Sequence, residues 1–260
     1  LKKSICDPVA VENAVSDYDV DTIVNFAAES HVDNSISGPQ VFFDTNVMGV
    51  VNLLEVCRKH GCRLHQVSTD EVYGISTPDS NINEYSNLNP SSPYSSSKAS
   101  ADLICMSYAK TFNLPVTISR CTNNAGKYQH CEKLIGTVIS AAIKNKNIPV
   151  YGNGLQKRHW TYVADHNNAI LNIIKFGQLG KIYNIGPCNE NYITNIELIK
   201  FILHYLNKPE TLITYVNDRL AHDTSYYLTP SSNICIANST WKKFMPHIIE
   251  WYAQEVNNNN

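Results

Sequence analysis

The chain has 260 residues, 43% of them apolar, which suffices for one large domain or a domain with a smaller lobe. A formal net charge of -2 excludes recognition of nucleic acid or a membrane surface by bulk charge. No apolar run is long enough to span a bilayer, and no signal-peptide pattern opens the chain.

Residues 1 to 18 read as the end of a strand followed by a helix from Asp7, with Pro8 at its first position. Asp21 to Ala28 reads as a buried strand ending in two small residues, which allow a flat ligand close to the backbone. The polar loop Glu29-Ser30-His31-Val32-Asp33 follows. A helix is expected from about Pro39 to His60, with Val47, Val50, Val51, Leu54 and Cys57 on one face and Gly61 as its stop. Leu64 to Val67 is a strand, Thr77 to Pro93 a Ser-, Asn- and Pro-rich surface loop, and Tyr94 to Phe112 a second long helix. Pro115 to Ser119 is another strand. Beyond Gly126 come a helix (Glu132 to Lys146), a strand (Ile148 to Tyr151), a Gly152-Asn153-Gly154 turn and a helix (Val163 to Phe176). A strand (Ile182 to Ile185), a helix (Thr194 to Leu206), a strand (Ile213 to Val216) and a helix (Pro246 to Glu255) complete the order.

Strands alternating with amphipathic helices predict an α/β fold, a Rossmann-like doubly wound parallel sheet with a smaller C-terminal lobe. We expect residues 1–125 to form the remainder of a dinucleotide-binding domain, 126–256 mainly the lobe with some segments returning to the sheet, and 257–260 a disordered tail. The eight cysteines contain no Cys-x-x-Cys pair and no zinc spacing, so reduced thiols, no metal site and a cytoplasmic protein are expected. No G-x-G-x-x-G or G-x-x-G-x-x-G loop occurs in these residues, so the front of such a fold, about fifty to sixty residues, reads as missing.

Chemistry concentrates in two motifs. Thr69-Asp70-Glu71 ends a strand, where side chains project into the ligand crevice of an open α/β sheet. Two carboxyls there can divide acid and base work if their surroundings differ. Tyr94-Ser95-Ser96-Ser97-Lys98 places a phenol and an ammonium one helical turn apart, and a cation held close would lower the phenol's pKa enough for proton transfer.

On these motifs, and on Ala27-Ala28-Glu29-Ser30-His31-Val32-Asp33, Ser68 to Gly74, Asn123-Asn124, Glu132-Lys133-Leu134-Ile135, Pro149 to Gly152, Tyr183 to Gly186 and Asp218-Arg219, the chain resembles the dTDP-glucose 4,6-dehydratases of the extended short-chain dehydrogenase/reductase superfamily. The resemblance implies a tightly held NAD, a homodimer paired through the helices after Pro39 and after Tyr94, and dTDP-glucose or UDP-glucose as substrate. Thr69, Asp70, Glu71, Tyr94 and Lys98 would be catalytic, with Glu71 the base at C5 and Asp70 the acid at the 6-hydroxyl. Ala27, Ala28, Thr45, Tyr94, Lys98 and Asn124 would line NAD. Ser30, Thr69, Asn123, Glu132, Lys133 and Leu134 would face the sugar nucleotide, Pro149 and Tyr151 its base, and Arg158 and Arg219 its diphosphate. Asn189 and His222 would complete the pocket.

The chain departs from the family at Ala125, Lys127, Cys131, Gly136, His159 and Leu220-Ala221, all in segments expected over the nucleotide. Two other readings stay open: an epimerase or decarboxylase of the same superfamily, which the Asp70-Glu71 pair speaks against, and a non-catalytic remnant that binds nucleotide sugar or a partner protomer. Without a phosphate loop, these residues alone are expected to bind NAD weakly.

Overall fold

A computed structural model describes residues 2–187, 189–218, 223–231 and 236–258. Asp7 caps α1 (Pro8–Asp17), its carboxylate accepting from the Ala10 amide at 3.0 Å. The expected strand before it does not form; residues 2–6 are irregular. β1 (Thr22–Asn25) is shorter and less buried than expected, because among the described residues it pairs on one side only, with β2 (Arg63–Thr69). Between them lie α2 (Val32–Ser37), α3 (Gln40–Phe43), a π-helical turn (Asp44–Met48) and α4 (Gly49–His60). Gly61 ends α4 at φ 74°, a conformation glycine adopts without a Cβ clash.

α5 (Pro93–Phe112), β3 (Val116–Cys121), β4 (Asn123–Ala125), α6 (Leu134–Ile143), β5 (Ile148–Tyr151), β6 (Lys157–Tyr162), α7 (Val163–Phe176) and β7 (Lys181–Pro187) follow. β8 (Tyr192–Thr194), α8 (Asn195–Tyr205), β9 (Ile213–Val216), β10 (Ile236–Ala237) and α9 (Trp241–Asn258) complete the described elements. α9 starts five residues before the expected Pro246 and runs through it, because Phe244, Met245, Ile248 and Ile249 are all buried in the lobe. Residues 259–260 of the expected tail lie outside the described residues.

The main sheet has the order β1-β2-β3-β7-β10, with every pairing parallel. One face buries Val50, Leu54, Cys57, Ala101 and Cys105 from α4 and α5 against Leu64, Val116 and Ile118. On the other, α7 packs Ala169, Ile170 and Ile173 against Cys121 and Ile185. Helices on both faces make the sheet doubly wound. The C-terminal lobe has its own core, in which α6, α8 and α9 enclose Ile148, Val150 and Trp160. Two small sheets, β4-β6-β8 and β5-β9, lie outside the main sheet, and β5 places Ile148 and Val150 in the lobe core. β4, β6, β8 and β10 were not expected from sequence. Three of the four are two or three residues long, and β6 opens on Lys157-Arg158-His159, a charged run with no strand alternation.

Candidate active site

β2 delivers the first motif to the sheet's carboxyl edge, where Asp70–Tyr73 leave it as a 3₁₀ turn. The Thr69 hydroxyl caps that turn, accepting from the Glu71 amide at 3.3 Å and donating to Asp70 Oδ1 at 3.2 Å. Gly74 closes it at φ 75°; a Cβ there would lie 2.3 Å from the Asn89 carbonyl oxygen. Only glycine lets the following loop pack back so closely.

The adjacent carboxyls have unlike surroundings. Asp70 is 3% exposed, and its Oδ2 is buried without a hydrogen-bond partner. Burial, reinforced by the neighbouring Glu71 charge, pushes its pKa up to about 8, against the Thr69 hydrogen bond and the Arg158 charge. Glu71 is partly exposed, faces a cavity, and accepts from the Tyr226 hydroxyl at 3.5 Å. The Tyr226 hydroxyl also lies 2.7 Å from Asp223 Oδ2, and its ring sits under the Arg158 guanidinium, 4.6 Å from ring centre to Cζ.

α5 starts with Pro93 behind a Ser92–Ser95 capping box, which aims Tyr94 and Lys98 at the end of β2. The ammonium of Lys98 donates to the Val67 carbonyl at 2.6 Å, and burial lowers its pKa despite the nearby Asp102. The phenol of Tyr94 is raised well above its ordinary value, by burial first and then by the Glu71 charge, while a hydrogen bond with Thr69 opposes the shift. Desolvation of the phenolate dominates here, and the Lys98 ammonium, expected to lower the phenol's pKa, donates to the Val67 carbonyl.

The cavity between sheet and lobe measures about 410 Å³. Among the residues singled out from sequence, Ser30, Glu71, Asn123, Asn124, Glu132, Lys133, Leu134, Pro149, Tyr151 and Arg158 line it. Lys133 reaches across its rim, donating to the Ser30 carbonyl at 2.8 Å. Thr69, Asp70, Tyr94 and Lys98 lie behind Glu71 rather than in its wall, and Ala27, Ala28 and Thr45 lie outside it. Asn189 begins a 3₁₀ turn, Asn189–Asn191, while Arg219 and His222 fall outside the described residues.

Sequence reasoning missed Tyr226, Gln156, Trp160, Gln129 and Asn195, all in the wall. Gln156, Arg158 and Trp160 share one face of the strand, but the polar Gln and Arg on that face hide the apolar alternation by which a strand is read. Tyr226 had no signal, since a turn far along the chain brings it back to Glu71. Buried atoms without partners gather here: Asn123 Oδ1, Asn124 Oδ1, Gln129 Oε1, Gln156 Oε1, Trp160 Nε1 and Asn195 Oδ1. A wall of unpaired donors and acceptors suits a polar ligand. A second groove of about 430 Å³, between α1 and α4, is crossed by the Glu12–Lys59 ion pair and lies away from the carboxylates. No cluster of metal-ligating side chains occurs among the described residues.

A doubly wound sheet carrying Thr-Asp-Glu at one strand end and Tyr-x-x-x-Lys on the next helix defines an enzyme of the extended short-chain dehydrogenase/reductase class. The GDP-mannose 4,6 dehydratase family model matches residues 1–233. The chain is 39% identical to the dTDP-glucose 4,6-dehydratase of Escherichia coli over 95% of its own length and 77% of the relative's. It is 42% identical to that of Haemophilus influenzae, covering 87% of this chain and 73% of the other. The dTDP-glucose 4,6-dehydratase of Streptomyces venezuelae, solved with NAD and TYD bound, superposes with a TM-score of 0.91 at 36% identity, over 98% of this chain and 79% of that one. The chain belongs to the dTDP-glucose 4,6-dehydratase family. A UDP-glucose 4-epimerase of Thermus thermophilus, at 22% identity and a TM-score of 0.89, shares the fold.

Proposed function

We propose that this chain dehydrates a nucleoside-diphosphate-glucose, dTDP-glucose or UDP-glucose, to the 4-keto-6-deoxy sugar. The observation that carries this reading is the asymmetry of the adjacent carboxyls, with Asp70 held neutral to about pH 8 and Glu71 open to the cavity. An elimination needs an acid and a base on neighbouring carbons, whereas a simple dehydrogenase needs neither.

The residues present fit the nicotinamide end of NAD. The short side chains of Ala27 and Ala28 leave room beyond β1, and Asn124, whose buried Oδ1 has no partner, lines the cavity. Bound there, NAD would supply the acceptor for the C4 hydride, whose loss makes C4 a ketone, the donor that later returns it to C6, and a positive charge. Tyr94, drawn toward phenolate by that charge and by the Thr69 hydrogen bond, takes the proton of the sugar's 4-hydroxyl. The resulting 4-ketone acidifies the C5 proton, which Glu71 removes. Asp70 protonates the departing 6-hydroxyl, which leaves as water, and Glu71 returns a proton to C5. Arg158, buried in the wall, neutralises the diphosphate.

The partition of the chain into residues 1–125 and 126–256 also belongs to this proposal, with β7 and α7 returning to the main sheet. So does a homodimer, supported by exposed Val41, Met48 and Leu103 on the helices expected to pair. Burial of Cys57, Cys62, Cys105 and Cys121 as free thiols supports a reducing, cytoplasmic compartment. The test is incubation with saturating NAD and each nucleotide sugar in deuterium oxide. A product lacking one water and carrying deuterium at C5 supports the reading; return of both sugars unchanged overturns it.

A further inference from the structure

Gln156, Arg158 and Trp160 point to the same wall of the cavity along β6 and the residue before it, and each is at most 6% exposed. At about 3.3 Å per residue, Gln156 stands roughly 7 Å along the strand from Arg158. It is also beside Tyr151, on the side away from Trp160, whose partner across the sheet is Asn123. The wall therefore runs from the catalytic end at Asn123, through the Arg158 cation, to Gln156.

The amide of Gln156 cannot turn over freely. Its Nε2 donates to Asp218 Oδ2 at 3.2 Å and to the Tyr151 carbonyl at 3.4 Å. Both partners are oxygen acceptors, so the nitrogen edge belongs on their side and the oxygen edge lies opposite, on a side chain that lines the cavity. Oε1 is buried there without a partner. Gly152 keeps room for the arrangement: at φ 56°, a Cβ in its place would lie 2.9 Å from Asp218 Oδ2 and 3.4 Å from Gln156 Nε2. A buried acceptor fixed in orientation selects a ligand atom that carries a hydrogen.

We propose that Gln156 reads the nucleotide base, its Oε1 accepting the ring N3–H of a pyrimidine-2,4-dione, with Asp218 locking the amide in that sense. The proposal rests on the nucleotide-sugar reading of the cavity and adds to it the residue that sets base preference. Cytosine presents an unprotonated N3 at the same place, so two acceptors would face each other in a desolvated wall. Such a mismatch costs on the order of tenfold in affinity or more.

Calorimetric titration of the full chain with dTDP, UDP and CDP tests this without requiring turnover. The wild type is expected to bind dTDP and UDP at least about tenfold more tightly than CDP. Gln156→Leu should weaken dTDP by about tenfold and change CDP by less than about twofold, closing the gap. Asp218→Ala, on an exposed residue, releases the amide and should tighten CDP several-fold while leaving dTDP near its wild-type affinity. A preference for dTDP that survives Gln156→Leu, or CDP affinity unmoved in Asp218→Ala, overturns the role of Gln156 and leaves the function standing. Failure of the wild type to bind any of the three overturns the reading of the cavity and this proposal with it.

Discussion

Replacing Arg120 by Met should unfold this chain more readily than any loss of surface charge. Arg120 lies in β3 and is 3% exposed; its Nε donates to Asp102 Oδ2 of α5 at 2.8 Å, and its NH1 to the Tyr73 hydroxyl at 2.9 Å. The Tyr73 hydroxyl in turn donates to Asn184 Oδ1 of β7 at 2.8 Å, so one buried cation ties together α5, β3, β7 and the turn that carries Asp70 and Glu71. Burial raises the Asp102 pKa even with Arg120 in place, which shows how poorly that carboxylate is solvated. Removing the guanidinium leaves it with the more distant Lys98 as a remaining cation, at a cost of about 3–5 kcal/mol, typical of breaking a buried pair from one side. For a chain of this size that lowers Tm by roughly 10 °C. Urea unfolding followed by the fluorescence of Trp160, Trp241 and Trp251 measures it, and Arg120→Met/Asp102→Leu together should recover most of the loss. A single substitution costing below about 1 kcal/mol, or a double no better than the single, would refute the reasoning.

Glu71→Gln should abolish deuterium uptake at C5 and lower turnover by about 10²- to 10⁴-fold while leaving dTDP affinity unchanged; unaltered exchange removes Glu71 as the base. Because Asp70 must be protonated to act as the acid, kcat/KM should fall as pH rises through about 8, and a profile flat to pH 9 contradicts that role. His65 and His166 are buried and pushed down to about 3 and about 4, His65 by burial first and then by the Arg63 and His166 charges, His166 by burial. Their folded values lie below the unfolded value near 6.5, so their contribution is present above that pH and is lost as pH falls toward 4 and 3. The unfolding free energy from urea titrations should drop between pH 7.5 and 5.5 by roughly 1 kcal/mol per histidine, and His65→Gln should flatten part of that slope.

Local signals placed many elements. Asp7-Pro8, the Ser92–Ser95 box and the Thr194–Glu197 box start α1, α5 and α8 near where sequence expects them, because caps act within one helical turn. The strand at Ile213 to Val216 and the helix from Val163 to Phe176 match to the residue. What escaped were short strands whose polarity serves the cavity. Arg158 and Trp160 alternate toward it, and a strand that lines a polar site loses the apolar alternation by which strands are read.

The order of strands and helices, the Thr-Asp-Glu and Tyr-x-x-x-Lys motifs and the family they belong to were determined by the sequence itself, since caps, periodicity and motif spacing are local. Tertiary structure decided the electrostatics. Lys98 reaches the Val67 carbonyl, burial raises the Tyr94 phenol, Asp70 loses its solvent while Glu71 keeps the cavity, and Tyr226 and Gln156 arrive from distant segments. A pKa or a pinned amide depends on which groups share a desolvated volume, and only the folded chain specifies that.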